Sequence, residues 1–179
     1  VLGLSGSLTG LAVLIAIIFD AISDPVMGSI SDRYVSKLGR RHPFMFAAPF
    51  PTVIAIYLMF FPPDGLSEYG LFGWLIFSTI ILRLSITLFT VPHLALGAEL
   101  SDDYIERSRV MSYNNLFGYM GVIIMHIFVW VLIFPFFAGE RSGQLYQEYY
   151  TPIAIFSIAL SSLCILSSAY FTTDRIHYL

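Results

Sequence analysis

Apolar residues run almost unbroken from Leu8 to Ile30, and long apolar runs recur four more times, separated by short polar segments. The five runs fall at about 8–30, 43–62, 71–98, 110–138 and 151–172. Each is long enough to cross a hydrocarbon core, which takes about 20 helical residues at about 1.5 Å apiece. Backbone groups in lipid need partners within their own segment, and no alternating strand pattern competes, so the spacing predicts helices. The expected fold class is therefore an all-α integral membrane bundle with five transmembrane helices. His42 and the turn Pro62-Pro63-Asp64-Gly65 flank the second run. The third is long enough to tilt or kink, with Pro92 near its end.

Polar residues inside these runs are the candidates for chemistry. Asp20 and Asp24 stand four apart in the first run, so they share a helix face about one turn from each other. A charge within a spanning helix costs a few kcal/mol or more, which favours a cavity, a partner or an ion beside it. Two neighbouring carboxylates require a cation between them, a shared proton, or a basic side chain. Hard cations prefer oxygen ligands, and Ser23 and Thr87 offer two more if the first and third runs touch. Arg83, the one Arg or Lys within a run, is the natural counter-charge. An Asp–Arg pair that only sets helix register is the alternative.

Other polar positions also form stripes. Arg83, Thr87 and Thr90 follow i, i+4, i+7 spacing, and Asn115, Tyr119 and His126 follow i, i+4, i+11. Asn115 and Tyr119 suit either a polar substrate or a neighbouring helix, and His93 and His126 read first as hydrogen-bonded packing residues. Gly28, Gly97, Gly118 and Gly121 would permit close helix approach.

Composition sharpens this picture. Of 179 residues, 57% are hydrophobic and 12% charged, about half the charge of a soluble domain. The net charge of −3, with bases confined to short loops, gives no basic face for nucleic acid. One cysteine, Cys164, excludes an internal disulfide framework. Bases collect at Arg33, Lys37, Arg40 and Arg41, then at Arg107 and Arg109, then at Arg175; the opposite segments hold only Arg141. By the positive-inside rule, loops 31–42 and 99–109 and the C-terminus are expected in the cytoplasm. Val1 then starts outside, and the odd number of spans fits a fragment lacking a preceding helix. No HExxH motif occurs, Ser5 and Ser7 have no paired base, and Asp20, Asp24 and Asp32 lack the phosphate-binding turn of a metal-dependent membrane transferase. An enzyme is not expected.

The segment DAISDPVMGSISDRYVSKLGRRHPFM, from Asp20 to Met45, resembles the GxxxDR…GRR loop of the major facilitator superfamily. Its fuller pattern, with VPHLALGAELSDDYIERSRV from Val91 to Val110, is similar to the glycoside–pentoside–hexuronide:cation symporter branch, which includes the melibiose permease. The resemblance covers the whole chain and implies a major facilitator fold, with these helices standing for helices two to six of twelve in the N-terminal half. It implies that Asp20 and Asp24 are coupling-cation carboxylates, with Ser23 at an amide ligand's place and Thr87 at a hydroxyl ligand's. It also places Gly28, Asp32, Arg33, Gly39, Arg40 and Arg41 in a cytoplasmic gating loop that pairs with the C-terminal half. The sugar side departs from the permease: its acid, stacking tryptophan and arginine fall at Thr90, Leu94 and Asn115. A galactoside is thus disfavoured. Arg83 would meet an anionic solute such as a uronate or tune the cation site.

The resulting expectation is a secondary active transporter for cation-coupled symport of a sugar, glycoside or related small polar solute. Its coupling ion is Na⁺ or H⁺, with Asp20 and Asp24 as the metal ligands if sodium-coupled and no other cofactor. Arg83, Thr90, Asn115, Tyr119 and His126 would line the substrate cavity. The partners are the solute, the cation, the lipid bilayer and the C-terminal half, with no nucleic acid, in the plasma (inner) membrane. A non-transporting membrane scaffold and a lipid carrier of the same fold are the alternatives.

Overall fold

A computed structural model describes residues 4–101, 103–138 and 147–173. Asp102, Arg141 and Arg175, together with the C-terminal segment expected in the cytoplasm, lie outside the described residues. The described chain is helical, with α1 at Gly6–Arg33, α2 at His42–Ala47, α3 at Pro49–Phe60 and α4 at Glu68–Glu99. Then follow α5 at Tyr104–Ile127, a π-helical turn at Phe128–Ile133, α6 at Phe134–Ala138, a 3₁₀ turn at Gln147–Tyr149 and α7 at Tyr150–Phe171. Five helical stretches are long and apolar enough to cross a membrane: 6–33, 42–60, 68–99, 104–136 and 150–171.

Two of these stretches are interrupted. Ala48 separates α2 from α3, where Pro49 and Pro51 lack the N–H groups that would bond the carbonyls of Met45 and Ala47. Thr52 compensates locally by directing both its backbone N–H and its hydroxyl to the Ala48 carbonyl, at 3.2 and 2.8 Å. The fourth stretch widens into the π turn at FVWVLI. Helix ends are capped where they leave the apolar zone. Ser67 accepts from Gly70 N–H at 3.2 Å, and Asp103 accepts from the N–H groups of Ile105 and Glu106 at 2.7 and 3.1 Å.

Helix α4 is the hub, packing against α1, α2, α3 and α5, while α7 packs against α2 and α3. The α1 face turned to α4 carries buried Ala12, Ala16, Met27 and Ser31. Asp20 and Ser23 fall between them on the same i, i+4 stripe. Small side chains at 12 and 16 let the helices approach closely. Gly28 sits under Val91, where an added Cβ would lie 3.8 Å from Cγ1, and Gly97 faces Met111. Gly118 and Gly121 have nothing within 4 Å of an added Cβ, so they serve no close approach among the described residues. None of the residues of α5 is buried, although its sequence is that of a spanning helix.

The two ends of the bundle differ in chemistry. At one, Phe60, Phe134 and Tyr150 pack with Ile133 and Ile153. Trp74 Nε1–H there donates to the Leu58 carbonyl at 2.8 Å, tying the start of α4 to α3. The other end is charged and gathers the close of α1, the start of α2 and the close of α4.

Candidate functional site

The intramembrane charges meet between α1 and α4. Arg83 Nη1 donates to Asp20 Oδ2 at 2.6 Å, and Thr87 Oγ1 donates to Asp24 Oδ1 at 2.7 Å. The i, i+4 pair on α1 thus docks against an i, i+4 pair on α4, each rung joining one carboxylate to one donor. Thr87 is buried, Asp20 and Arg83 are partly buried, and Asp24 is exposed. Oδ1 of Asp20 is itself fully buried and has no hydrogen-bond partner among the described residues. A buried bare carboxylate oxygen is costly, so it marks where a proton or cation would gain most.

Ser23 lies beside this ladder but does not join it. Its hydroxyl turns back to the Asp20 carbonyl at 3.4 Å, the usual local outlet for a serine within a helix. Ser23 and Thr87 also border an apolar cavity of about 490 Å³ between α1, α3 and α4, whose walls include Phe19, Ile22, Met27 and Leu84. Among the described residues no group of three or more His, Cys, Asp or Glu side chains gathers.

The proposed substrate-cavity residues are only partly assembled. Arg83 is in the ladder, and Thr90 is half-buried one turn beyond Thr87 on α4. Asn115, Tyr119 and His126 are exposed on α5, which packs on α4 rather than on α1. His126 Nδ1–H donates to the Val122 carbonyl at 2.8 Å, which fixes its proton on that nitrogen.

The charged end is a second constellation. Arg41, almost fully buried, meets both Glu99 oxygens, Nε at 3.1 Å and Nη2 at 2.5 Å. Its Nη1 lies 3.0 Å from Asp32 Oδ1, an ion pair without hydrogen-bond alignment. The Glu99 bond, more than the Asp32 charge, raises the Arg41 guanidinium above the ordinary arginine range, against burial, which lowers it. Arg40 adds a looser contact to Glu99 at 3.8 Å. The turn that delivers these arginines depends on Gly39, whose φ of +77° is left-handed; Ser36 closes it by donating to the Gly39 carbonyl at 2.7 Å. Gly28 and Arg33 lie on α1 leading into this loop, with Arg33 in its last turn.

Arg40, Arg41 and Asp32 were expected together in the gating loop, and the structure adds Glu99, from the end of α4, to them. His93 is the hydrogen-bonded packing residue expected of it, but the polar chain it belongs to, just inside this end, was not foreseen. His42 Nε2 is 3.1 Å from Thr172 Oγ1, and Thr172 donates to the Ser168 carbonyl at 2.8 Å. Ser168 Oγ is 3.2 Å from His93 Nδ1, and His93 Nε2 is 3.3 Å from Asn114 Oδ1. His93 therefore ties α4 to both α7 and α5, with its ring stacked 4.9 Å from Phe89. The only signal was an imidazole within an apolar run.

A family model described as MFS/sugar transport protein matches residues 1–178. An uncharacterized symporter of Synechocystis sp. is 34% identical over 166 residues, 89% of this chain and 30% of that protein. The putative glycoside/cation symporter YagG of Escherichia coli is 27% identical over 175 residues, 98% of this chain and 36% of that one. The sodium-dependent lysophosphatidylcholine symporter 1 of Mus musculus is 31% identical over 111 residues, 59% and 21% of the respective chains. The chain spans about a third of the length of the first two of these relatives. No solved structure matches it significantly. With five helices of spanning length and apolarity and a family match along nearly its whole length, this integral, multi-pass membrane chain belongs to the MFS/sugar transport protein family of the major facilitator superfamily.

Proposed function

We propose that this chain is part of the N-terminal half of a transporter that couples Na⁺ or H⁺ to symport of a sugar, glycoside or related small polar solute. The observation that carries this reading is the Asp20–Arg83, Asp24–Thr87 ladder, which holds two carboxylates within otherwise apolar helices. A cation entering there would take the bare Asp20 Oδ1 and the Asp24 carboxylate as ligands, with the Thr87 hydroxyl turning an oxygen lone pair toward it. Neutralising the pair would favour the conformation that binds solute, and the two halves would rock about the site. In this reading loops 31–42 and 99–109 are cytoplasmic in the plasma (inner) membrane, and Arg41, Glu99 and Asp32 brace the gating loop. Thr90, Asn115, Tyr119 and His126 face the solute once the C-terminal half covers α5.

The apolar cavity between α1, α3 and α4 favours a second reading, a lipid carrier of the same fold. It fits the lysolipid substrate in the name of the lysophosphatidylcholine symporter relative.

The test is uptake by the full-length protein in proteoliposomes, driven by a Na⁺ or a pH gradient. Glycoside uptake that requires the gradient and disappears in Asp20→Asn and Asp24→Asn supports the sugar reading. Gradient-driven lysolipid uptake without glycoside uptake selects the lipid carrier. Uptake indifferent to both substitutions defeats cation coupling at this pair.

A further inference from the structure

Two of the Arg–carboxylate contacts among the described residues, Arg41–Glu99 and Arg83–Asp20, are built differently. Arg41 approaches Glu99 at two points, Nε and Nη2 each facing its own oxygen, and its side chain keeps only 7% exposure. That is the geometry of a fixed brace. Arg83 touches Asp20 at one point, keeps 40% side-chain exposure, and leaves the second Asp20 oxygen buried and bare. A brace selected for stability would satisfy both oxygens, because the unpaired one carries the full cost of desolvation.

The charge balance points the same way. Asp20, Asp24 and Arg83 together carry one negative charge, so a single monovalent cation, or one proton, brings the group to neutrality. Without Arg83 the same pocket would carry two, and the entering ion would be held by both without repulsion from a guanidinium on the neighbouring helix. An ion held that strongly would enter but leave slowly, and a symporter must release its ion every cycle.

We propose that Arg83 is a tethered competitor of the coupling cation. It grips Asp20 through Oδ2, leaves Oδ1 and Asp24 to one mobile cation, and by its own charge keeps that cation weakly bound. Arg83 is thus a positioning and affinity-setting residue rather than a ligand. This inference rests on the cation-coupled reading above.

The test is equilibrium Na⁺ binding to the full-length protein in detergent, alongside the pH midpoint of solute counterflow in proteoliposomes. Wild type is compared with Arg83→Gln, Arg83→Met and Arg83→Lys. If Na⁺ is the ion, Arg83→Gln should bind it at least tenfold more tightly. If the proton is the ion, the counterflow midpoint should move up by a pH unit or more, since loss of a positive neighbour strengthens proton binding. Arg83→Lys should remain near wild type because it keeps the charge. Arg83→Met keeps an apolar stem without the charge, and should reproduce the tightening if Arg83→Gln does not fold. Wild-type cation binding with no tightening in either neutral variant overturns this inference alone. Wild type that neither binds Na⁺ nor shows pH-dependent counterflow overturns the cation-coupled reading, and this inference with it.

Discussion

Arg41 and Glu99, 58 residues apart in sequence, grip each other at two points and lock the start of α2 to the close of α4. Because the guanidinium is nearly buried, removing the carboxylate would strand a charge. Glu99→Gln should therefore lower stability by about 2 kcal/mol, on the low side for a broken buried pair because Glu99 keeps 27% exposure. Arg41→Lys should cost a similar amount, since an ammonium cannot span both oxygens. Thermal unfolding of the full-length protein in detergent reads both. In a double-mutant cycle the two losses should fall short of additivity. The raised Arg41 value contributes stability fully present at ordinary pH and lost only as strongly alkaline solution strips the proton, so midpoints should not follow an Arg41 titration near neutrality.

The turn before that brace depends on one backbone angle. Gly39→Ala places a Cβ at φ +77° and should cost about 1–2 kcal/mol, whereas Gly39→Asn should cost less. Gly28→Ala is the control in the neighbouring helix, where the new Cβ meets Val91 at an ordinary 3.8 Å. There the helix gains from alanine, and the melting temperature should hold or rise slightly. Equal losses at both positions would contradict the φ argument.

The glycines along the later helices separate in the same manner. A Cβ at Gly97 would come within 3.0 Å of Met111 Cε, so Gly97→Ala must displace that side chain at the α4–α5 contact. Gly118→Ala meets nothing within 4 Å. The first should loosen α5, read as faster amide exchange over 104–127; the second should leave exchange unchanged or slower.

How much of this was legible depended on whether a feature is local. The helices follow from runs of apolar residues, and the pairing of Asp20 with Arg83 from their being rare charges within such runs. The interruptions at Ala48 and at Phe128–Ile133 were missed although both are local: two prolines mark the first, while FVWVLI is as apolar as any α-helical span. Glu99 was not among the candidate site residues because a carboxylate at a helix end is ordinarily solvated; its partial burial is set by where α2 begins, a tertiary fact. The His42–Thr172 contact joins residues 130 apart, and no periodicity on one helix discloses which helix lies opposite. Asn115, Tyr119 and His126 show the converse, since their shared stripe was legible but does not reach α1.

The His93 links carry a prediction of their own. Ser168→Ala and Asn114→Ala each remove one partner from an imidazole that joins three helices, and each should cost about 1 kcal/mol. With His93→Phe already in place, which keeps a ring beside Phe89 but cannot hydrogen-bond, neither change should cost more than a few tenths. Undiminished losses in that background would show that Ser168 and Asn114 act through other contacts.

The lower rung of the intramembrane ladder gives the sharpest contrast with Arg83. Thr87 adds no charge, and once a cation enters its hydroxyl oxygen becomes a ligand, so replacing it should weaken Na⁺ binding, the opposite sign to neutralising Arg83. Thr87→Val keeps the shape and removes the oxygen. Losing that oxygen ligand should weaken Na⁺ affinity about tenfold or more. Thr87→Ser restores the hydroxyl and should recover most of it. Equilibrium Na⁺ binding by the full-length protein separates these outcomes. Tightening at Arg83 together with weakening at Thr87 would assign the two α4 residues opposite duties on the same carboxylate pair. Weakening at both would instead mean that each merely holds α1 in place.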